Sequence, residues 1–191
     1  MSEAPVGRRE RKKAATRQAI ADAALRLFLR HGYDRVGIRD VAEAADVSTT
    51  TVFKHFSGKE ALVFDEDRDR EAALVAAVRD RTDGQGVLDA LRRHVLDVFL
   101  PVASDPRAGE FSDLVNSSPD LRAYAERMWT RHTDSLAEAI ADEVGADRDD
   151  PACRALARFV LDVPTLVRDR RDRREAVEAI FDLLDRGWAE R

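Results

Sequence analysis

Apolar residues recur at three- and four-residue spacing along most of the chain, and past residue 38 no stretch sustains the two-residue alternation of a strand. That pattern predicts an all-α fold of about nine helices. The first stripe is Ile20, Ala23, Ala24, Leu27 and Phe28, with Arg26 and Arg30 on the opposite side of a helix over 16–31. Gly32 supplies the residue that commonly ends a helix. A shorter helix over 38–45 places Ile38, Val41 and Ala45 inward and starts from Gly37, a weaker cap than Ser or Thr. After the turn Asp46-Val47, Ser48 caps a third helix over 49–56. Val52 and Phe56 face its core, while Thr49, Thr50 and Lys54 face outward with Thr51 and His55. Ser57-Gly58-Lys59-Glu60 then reads as a capping box opening a fourth helix over 58–81, broken near Asp65.

The remainder is punctuated by one device, a capping side chain followed by proline: Asp105-Pro106, Ser118-Pro119 and Asp150-Pro151. It divides into helices over 85–103, 106–116, 119–144, 151–169 and 173–189. Leu121, Tyr124, Ala125, Met128, His132, Leu136, Ile140 and Val144 form the inward stripe of the long central helix. The last two helices carry Ala155, Phe159, Val160, Val163 and Val167, then Ala176, Val177, Ile180, Phe181, Leu184 and Trp188. Such a terminal helix pair suits a four-helix dimer interface. Pro164 should kink the first of the two.

The order of signals over residues 31–62 is specific: Gly stop, short helix, small turn, Ser cap, Phe53 and Phe56, then Ser-Gly-Lys-Glu. This resembles the helix-turn-helix domain of the tetracycline-repressor (TetR) family of bacterial regulators, whose recognition helix enters the major groove. The resemblance implies DNA contacts from Ser48, Thr49, Thr50, Thr51, Lys54 and His55. It adds Arg39, reaching a base or phosphate, and Lys59 on a phosphate. Threonine suits such a place because its hydroxyl and methyl can each meet a base edge. Phe53 stands where the family usually has Tyr, so one phosphate hydrogen bond is missing. The resemblance further implies a homodimer through the two C-terminal helices, reading a palindromic operator as a repressor. It also implies a small-molecule site in the C-terminal bundle, for which His94, Val95, Val98, Asn116, Tyr124, Met128 and His132 are the candidates. Ser118-Pro119-Asp120-Leu121 and the segment 178–187 are similar to a branch that senses acyl-CoA-like ligands. Arginines such as Arg92, Arg93 and Arg122 could meet an anionic head, although an exposed arginine is the default.

Charge sharpens this picture. The chain carries a net charge of −5, yet residues 1–64 hold 12 Lys and Arg against 8 Asp and Glu, and residues 65–191 hold 20 against 29. The basic excess lies in Arg8, Arg9, Arg11, Lys12, Lys13 and Arg17, read as part of a disordered arm over 1–15 and the helix start beside it. Such an arm tracks phosphates, while the acidic remainder is repelled by DNA. The expected division is an arm over 1–15, a DNA-binding domain over 16–62 and a ligand-binding and dimerisation domain over 63–191.

Other classes find little support. Cys153 is the single cysteine, so no intramolecular disulfide forms; apolar runs are too short for a membrane span and no secretion signal is present. A cytoplasmic protein is expected. His31, His55, His94 and His132 show no metal-ligand spacing, and no catalytic or nucleotide-binding motif occurs. Neither catalysis, cofactor nor metal is expected; a cross-helix metal pair of His94 and His132 is conceivable. Two rival readings stay open: a dimeric DNA-binding protein without an effector, and a ligand carrier or enzyme with a vestigial DNA domain.

Overall fold

The structure is a computed structural model and describes residues 7–103, 105 and 107–188. The helices are α1 (Arg8–His31), α2 (Ile38–Ala44), α3 (Thr49–His55), α4 (Asp67–Arg79), α5 (Val87–His94), α6 (Leu100–Ala103), α7 (Ala108–Ser117), α8 (Pro119–Val144), α9 (Pro151–Val167) and α10 (Arg173–Trp188). A π-helical turn, Val95–Phe99, joins α5 to α6. Counting α5 and α6 as one interrupted helix, the described residues form nine helices and no strand, as the periodicity predicts. None of these helices is long and apolar enough to cross a membrane.

The chain divides into two compact units: residues 1–66 with 110–124, and residues 67–109 with 125–191. This differs from the expected boundary after residue 62. Leu114 and Leu121 share a buried cluster with Ile20, Phe28, Val41, Val52 and Leu62, so α7 and the first turns of α8 complete the N-terminal core. α2 and α3 have seven residues each, so with α1 alone they leave part of that core open. Phe64 makes the same connection, lying edge-on to Phe111 and stacked on Tyr124 with centroids 5.9 and 5.1 Å away.

Within this first unit α1 begins at Arg8, which corrects the expectation of a disordered arm over residues 8–15. The stretch RRERKKAATR holds good helix formers and neither Gly nor Pro, so nothing stops the helix from extending outward from its buried stripe. Residues 1–6 of the expected arm lie outside the described residues. Gly32 ends α1 at φ +84°, its N–H donating to the Phe28 carbonyl at 2.8 Å.

A second correction concerns Ser57 and Glu60. Their box opens no α-helix; a short 3-10 turn, Glu60–Leu62, follows, and α4 starts only at Asp67. Ala61, Leu62 and Val63 are consecutive and all buried. The tight 3-10 turn buries all three, and the chain enters a regular α-helix only at Asp67.

The second unit packs Leu74, Val78, Leu88, Leu91, Val95, Leu136, Ile140, Leu156, Val160, Val163, Val177 and Phe181 into one cluster drawn from α4, α5, the π-helical turn, α8, α9 and α10. The α9 start follows expectation: the Asp150 carboxylate accepts from the N–H groups of Ala152 and Cys153 at 2.8 and 2.9 Å. The helix runs on through Pro164. Val144, expected inward on α8, is exposed instead, because it is the helix's last residue.

Candidate nucleic-acid interface

The α2–α3 pair is built around a turn that only a few residue types accept. Asp46 adopts φ 52°, the left-handed conformation that Asp tolerates better than most. Val47 N–H then donates to the Ala42 carbonyl at 2.9 Å, closing the turn. At the start of α2 the Asp40 carboxylate accepts from the Gly37 N–H at 2.7 Å, so half of a capping box compensates for the weak cap. Ser48 caps α3: its hydroxyl oxygen accepts from Thr51 N–H at 3.1 Å and shares a hydrogen bond with the Thr51 hydroxyl at 2.9 Å.

That cap divides the outward residues of α3 into two sets. Ser48 and Thr51 are committed to each other, whereas Thr50, Phe53 and Lys54 project from the surface and Thr49 is half-buried. Val52 and Phe56 lie in the core as expected. Arg39 on α2 is exposed as well. The surface therefore offers hydroxyls, one ammonium, one guanidinium and an aromatic ring, with Phe53 58% exposed. This set can hydrogen-bond base edges and phosphates and meet thymine methyls.

Two basic residues make hydrogen bonds that hold this unit together. Arg17 on α1 donates from Nη1 to the His55 carbonyl and from Nη2 to the Asp65 carbonyl, each at 2.6 Å. Its guanidinium also sits 4.3 Å from the centroid of the Phe56 ring. It thus closes the C-terminal end of α3, where carbonyls lack intrahelical donors. Lys59, expected on a phosphate, donates to the Tyr33 carbonyl at 2.7 Å and lies 3.9 Å above the Tyr33 ring. Burial, assisted by Glu60, raises the Tyr33 phenol well above its ordinary range, so this ring stays neutral.

His55, at the end of α3, is held below its ordinary value of 6.5, first by burial and then by the positive charges of Arg17 and Lys13. The effect of Lys13 places part of the basic start of α1 electrically beside α3. Arg8, Arg9, Lys12 and Lys13 are all exposed.

The seven expected ligand residues are dispersed in role. Val95 and Met128 are buried, Val98 and Asn116 are exposed, and Tyr124 stacks on Phe64. His94 is half-buried, edge-on to Phe99, and burial lowers its pKa. His132 is buried and hydrogen-bonded to Asp67. Two open, charged depressions occur in the second unit, one along α8 past Arg127, Thr130 and Asp134, the other past Gln85, Arg92 and Asp97. None of the seven residues borders either. Arg92, expected to meet an anionic ligand, pairs with Glu178 and Asp182 at 3.5 and 3.2 Å, and Arg122 donates to the Asn116 carbonyl.

Sequence reasoning missed one grouping. Asp67 and Glu71, one turn apart on α4, meet His132, Arg131 and Ser135 of α8. The i, i+4 carboxylates were visible along the chain, but nothing in their spacing pairs them with a histidine 65 positions away.

Comparison with known proteins points one way. Residues 20–65 match the family described as bacterial regulatory proteins, tetR family, and residues 85–190 match the MftR C-terminal domain. The chain is 32% identical over 155 residues to the HTH-type transcriptional regulator TcmR of Streptomyces glaucescens, covering 75% of this chain and 67% of TcmR. It is 28% identical over 193 residues to MftR of Mycobacterium tuberculosis, named for mycofactocin biosynthesis, covering 97% and 96%. Among solved structures, NalD of Pseudomonas aeruginosa, the secondary repressor of the MexAB-OprM efflux pump, superposes with a TM-score of 0.61 at 22% identity, covering 92% of this chain and 96% of NalD. The SmeT–triclosan complex gives 0.61 at 19% identity, with 91% of each chain covered.

Proposed function

This chain belongs to the tetR family of bacterial regulatory proteins and is a DNA-binding transcriptional regulator, and on that footing we propose that it is a homodimeric repressor released from a palindromic operator by a small molecule. The outward face of α3 carries the reading. Ser48 and Asp46 fix the helix start, Arg17 fixes its end, and Thr49, Thr50 and Lys54 are left to meet the major groove, with Arg39 beside them. Ser48 and Thr51 contribute through the cap, and His55 lies at the rim. Lys59 supports the domain from within through Tyr33 rather than standing free for a phosphate. The exposed basic residues at the start of α1 follow the backbone.

The dimer uses α9 and α10. Ala155, Phe159 and Leu166 form an exposed line on α9, with Phe159 57% and Leu166 62% exposed, and Leu183 on α10 is 64% exposed. Apolar side chains of this size in a row favour burial against a second copy. Two recognition helices would then read half-sites one helical turn apart.

The effector site lies in the second unit, where His94, Val95, Val98, Met128 and His132 remain the candidate contacts, while Asn116 and Tyr124 belong to the first unit. An acyl-CoA-like ligand is the first to test. SmeT has been solved with triclosan, and the regulator FadR of Bacillus subtilis with stearoyl-CoA, on this fold. A ligand favouring one state by a few kcal/mol shifts such a dimer off its operator. The protein would act in the cytoplasm, where its DNA is.

Fluorescence anisotropy on the DNA upstream of the gene, at several salt concentrations and with acyl-CoAs and metabolite fractions added, tests the whole reading. Salt-dependent nanomolar binding that Lys54→Ala weakens and a fraction abolishes is expected. Binding indifferent to Lys54→Ala would overturn the docking. Binding indifferent to every fraction would favour a regulator without an effector.

A further inference from the structure

The second unit contains a cluster of ligating side chains that DNA binding leaves unused. Asp67 and Glu71 on α4 and His132 on α8 each offer one ligand atom, and the three atoms lie within 4.8 Å of one another. His132 Nε2 is 2.7 Å from Asp67 Oδ1 and 3.9 Å from Glu71 Oε2. The side chains of Asp67 and His132 are 6% and 5% exposed, and that of Glu71 19%. A first-row ion bound to nitrogen and oxygen at about 2.0–2.2 Å holds neighbouring ligand atoms roughly 3.0–3.5 Å apart. The two distances here bracket that spacing, so shifts of about half an ångström would seat an ion.

Charge favours the same conclusion. Imidazole ligates in its neutral form, and metal ligation displaces any proton from the ring. Arg131 bonds Asp67 Oδ2 and, at 2.8 Å, Glu71 Oε2. A divalent cation balances both carboxylates, and Arg131, with 44% of its side chain exposed, has room to turn outward. The Ser135 hydroxyl donates to Glu71 Oε1 at 2.6 Å and so orients the carboxylate from behind, as outer-shell partners of metal ligands do.

We infer that Asp67, Glu71 and His132 bind a divalent first-row transition ion, with Arg131 as the internal cation that holds the site when no ion is there. One imidazole with two carboxylates suits Zn²⁺, Co²⁺ or Mn²⁺. It suits less well the alkaline-earth ions, which prefer all-oxygen shells, or Cu⁺, which prefers sulfur. The site joins the first residue of α4 to the middle of α8, entirely within the second unit.

The test uses the full chain without a histidine tag, stripped with EDTA. It is titrated with Zn²⁺ and Mn²⁺ by calorimetry and with Co²⁺ by visible absorption, with Mg²⁺ as reference. One ion per chain is expected, with a rise in melting temperature and at least tenfold preference over Mg²⁺. Glu71→Gln and His132→Gln should each weaken binding tenfold or more. Arg131→Ala should lower the melting temperature of the stripped protein yet bind the ion several-fold more tightly, which a cluster serving only as an ion pair would not do. If His132→Gln fails to fold, Glu71→Gln, which keeps its volume and its bond to Ser135, decides. No saturable binding, or binding that these substitutions leave unchanged, overturns the inference.

Discussion

Arg17 shows how a single side chain can be misjudged from charge alone. In sequence it is the last of six basic residues in an N-terminal run; in the structure its guanidinium bridges two carbonyls 10 positions apart and covers Phe56. Hydrogen bonds from a charged donor contribute about 1.5–3 kcal/mol, and partial exposure reduces that here. Arg17→Ala is expected to destabilise the chain by about 1–3 kcal/mol in urea unfolding, and Arg17→Lys should recover little, lacking the two-pronged geometry. His55, next to that clamp, carries a pH signature. Because burial and the nearby cations lower its pKa, the folded state resists protonation, and the stability it contributes is lost as pH falls below about 6.5. A duplex phosphate nearby would reverse the preference, so DNA binding should take up a proton and tighten as pH falls from 7.5 to 5.5. Anisotropy titrations on the His55→Gln variant should lose that dependence. Phe53→Tyr, at an exposed position, is expected to leave stability within about 0.5 kcal/mol while strengthening operator binding several-fold through the added hydroxyl.

At the scale of elements, the stripe of α1, the caps of α3 and α9 and the length of α8 were all legible, because each rests on residues close in sequence. The left-handed turn was legible too, since Asp46 is among the few non-glycine residues that accept it. What failed were places where tertiary burial outvoted a local signal. Ser57 and Glu60 spell a capping box, but the chain makes only a 3-10 turn over Glu60–Leu62, with Ala61, Leu62 and Val63 buried, and α4 starts at Asp67. The weak cap at Gly37 was read correctly, while its remedy in Asp40 was not. Asp40→Ala should cost about 1 kcal/mol and lower DNA affinity with it, since α2 carries Arg39 and supports the turn into α3. Thermal unfolding and anisotropy on the same sample would check both. The candidate DNA residues were legible as a set, but their division into groove-facing and cap-forming members required the hydrogen bonds of Ser48. The Asp67–Glu71–His132 cluster was not legible at all, being made by packing across 65 residues.

For the whole molecule, the charge division and the unpartnered apolar line on α9 and α10 make an assembly testable. Phe159→Glu combined with Leu166→Glu leaves the core of the second unit untouched, because both side chains are exposed. Sedimentation should show a monomer. Operator affinity should fall by 10²-fold or more, because each recognition helix then binds without the effective concentration a linked partner supplies. A variant that stays dimeric would place the interface elsewhere.

The segment 110–124 also governs how this protein can be recombined. Because Leu114 and Leu121 belong to the same buried cluster as Phe28 and Leu62, and Phe64 rests on Phe111 and Tyr124, the DNA-reading unit is assembled from two stretches of chain. A chimera spliced once, after Glu66, would graft a foreign sequence onto a core missing its last wall. A hybrid regulator that folds has to carry residues 110–124 along with 1–66, so modularity in this fold is a matter of two cuts and a return crossing rather than of a single hinge point.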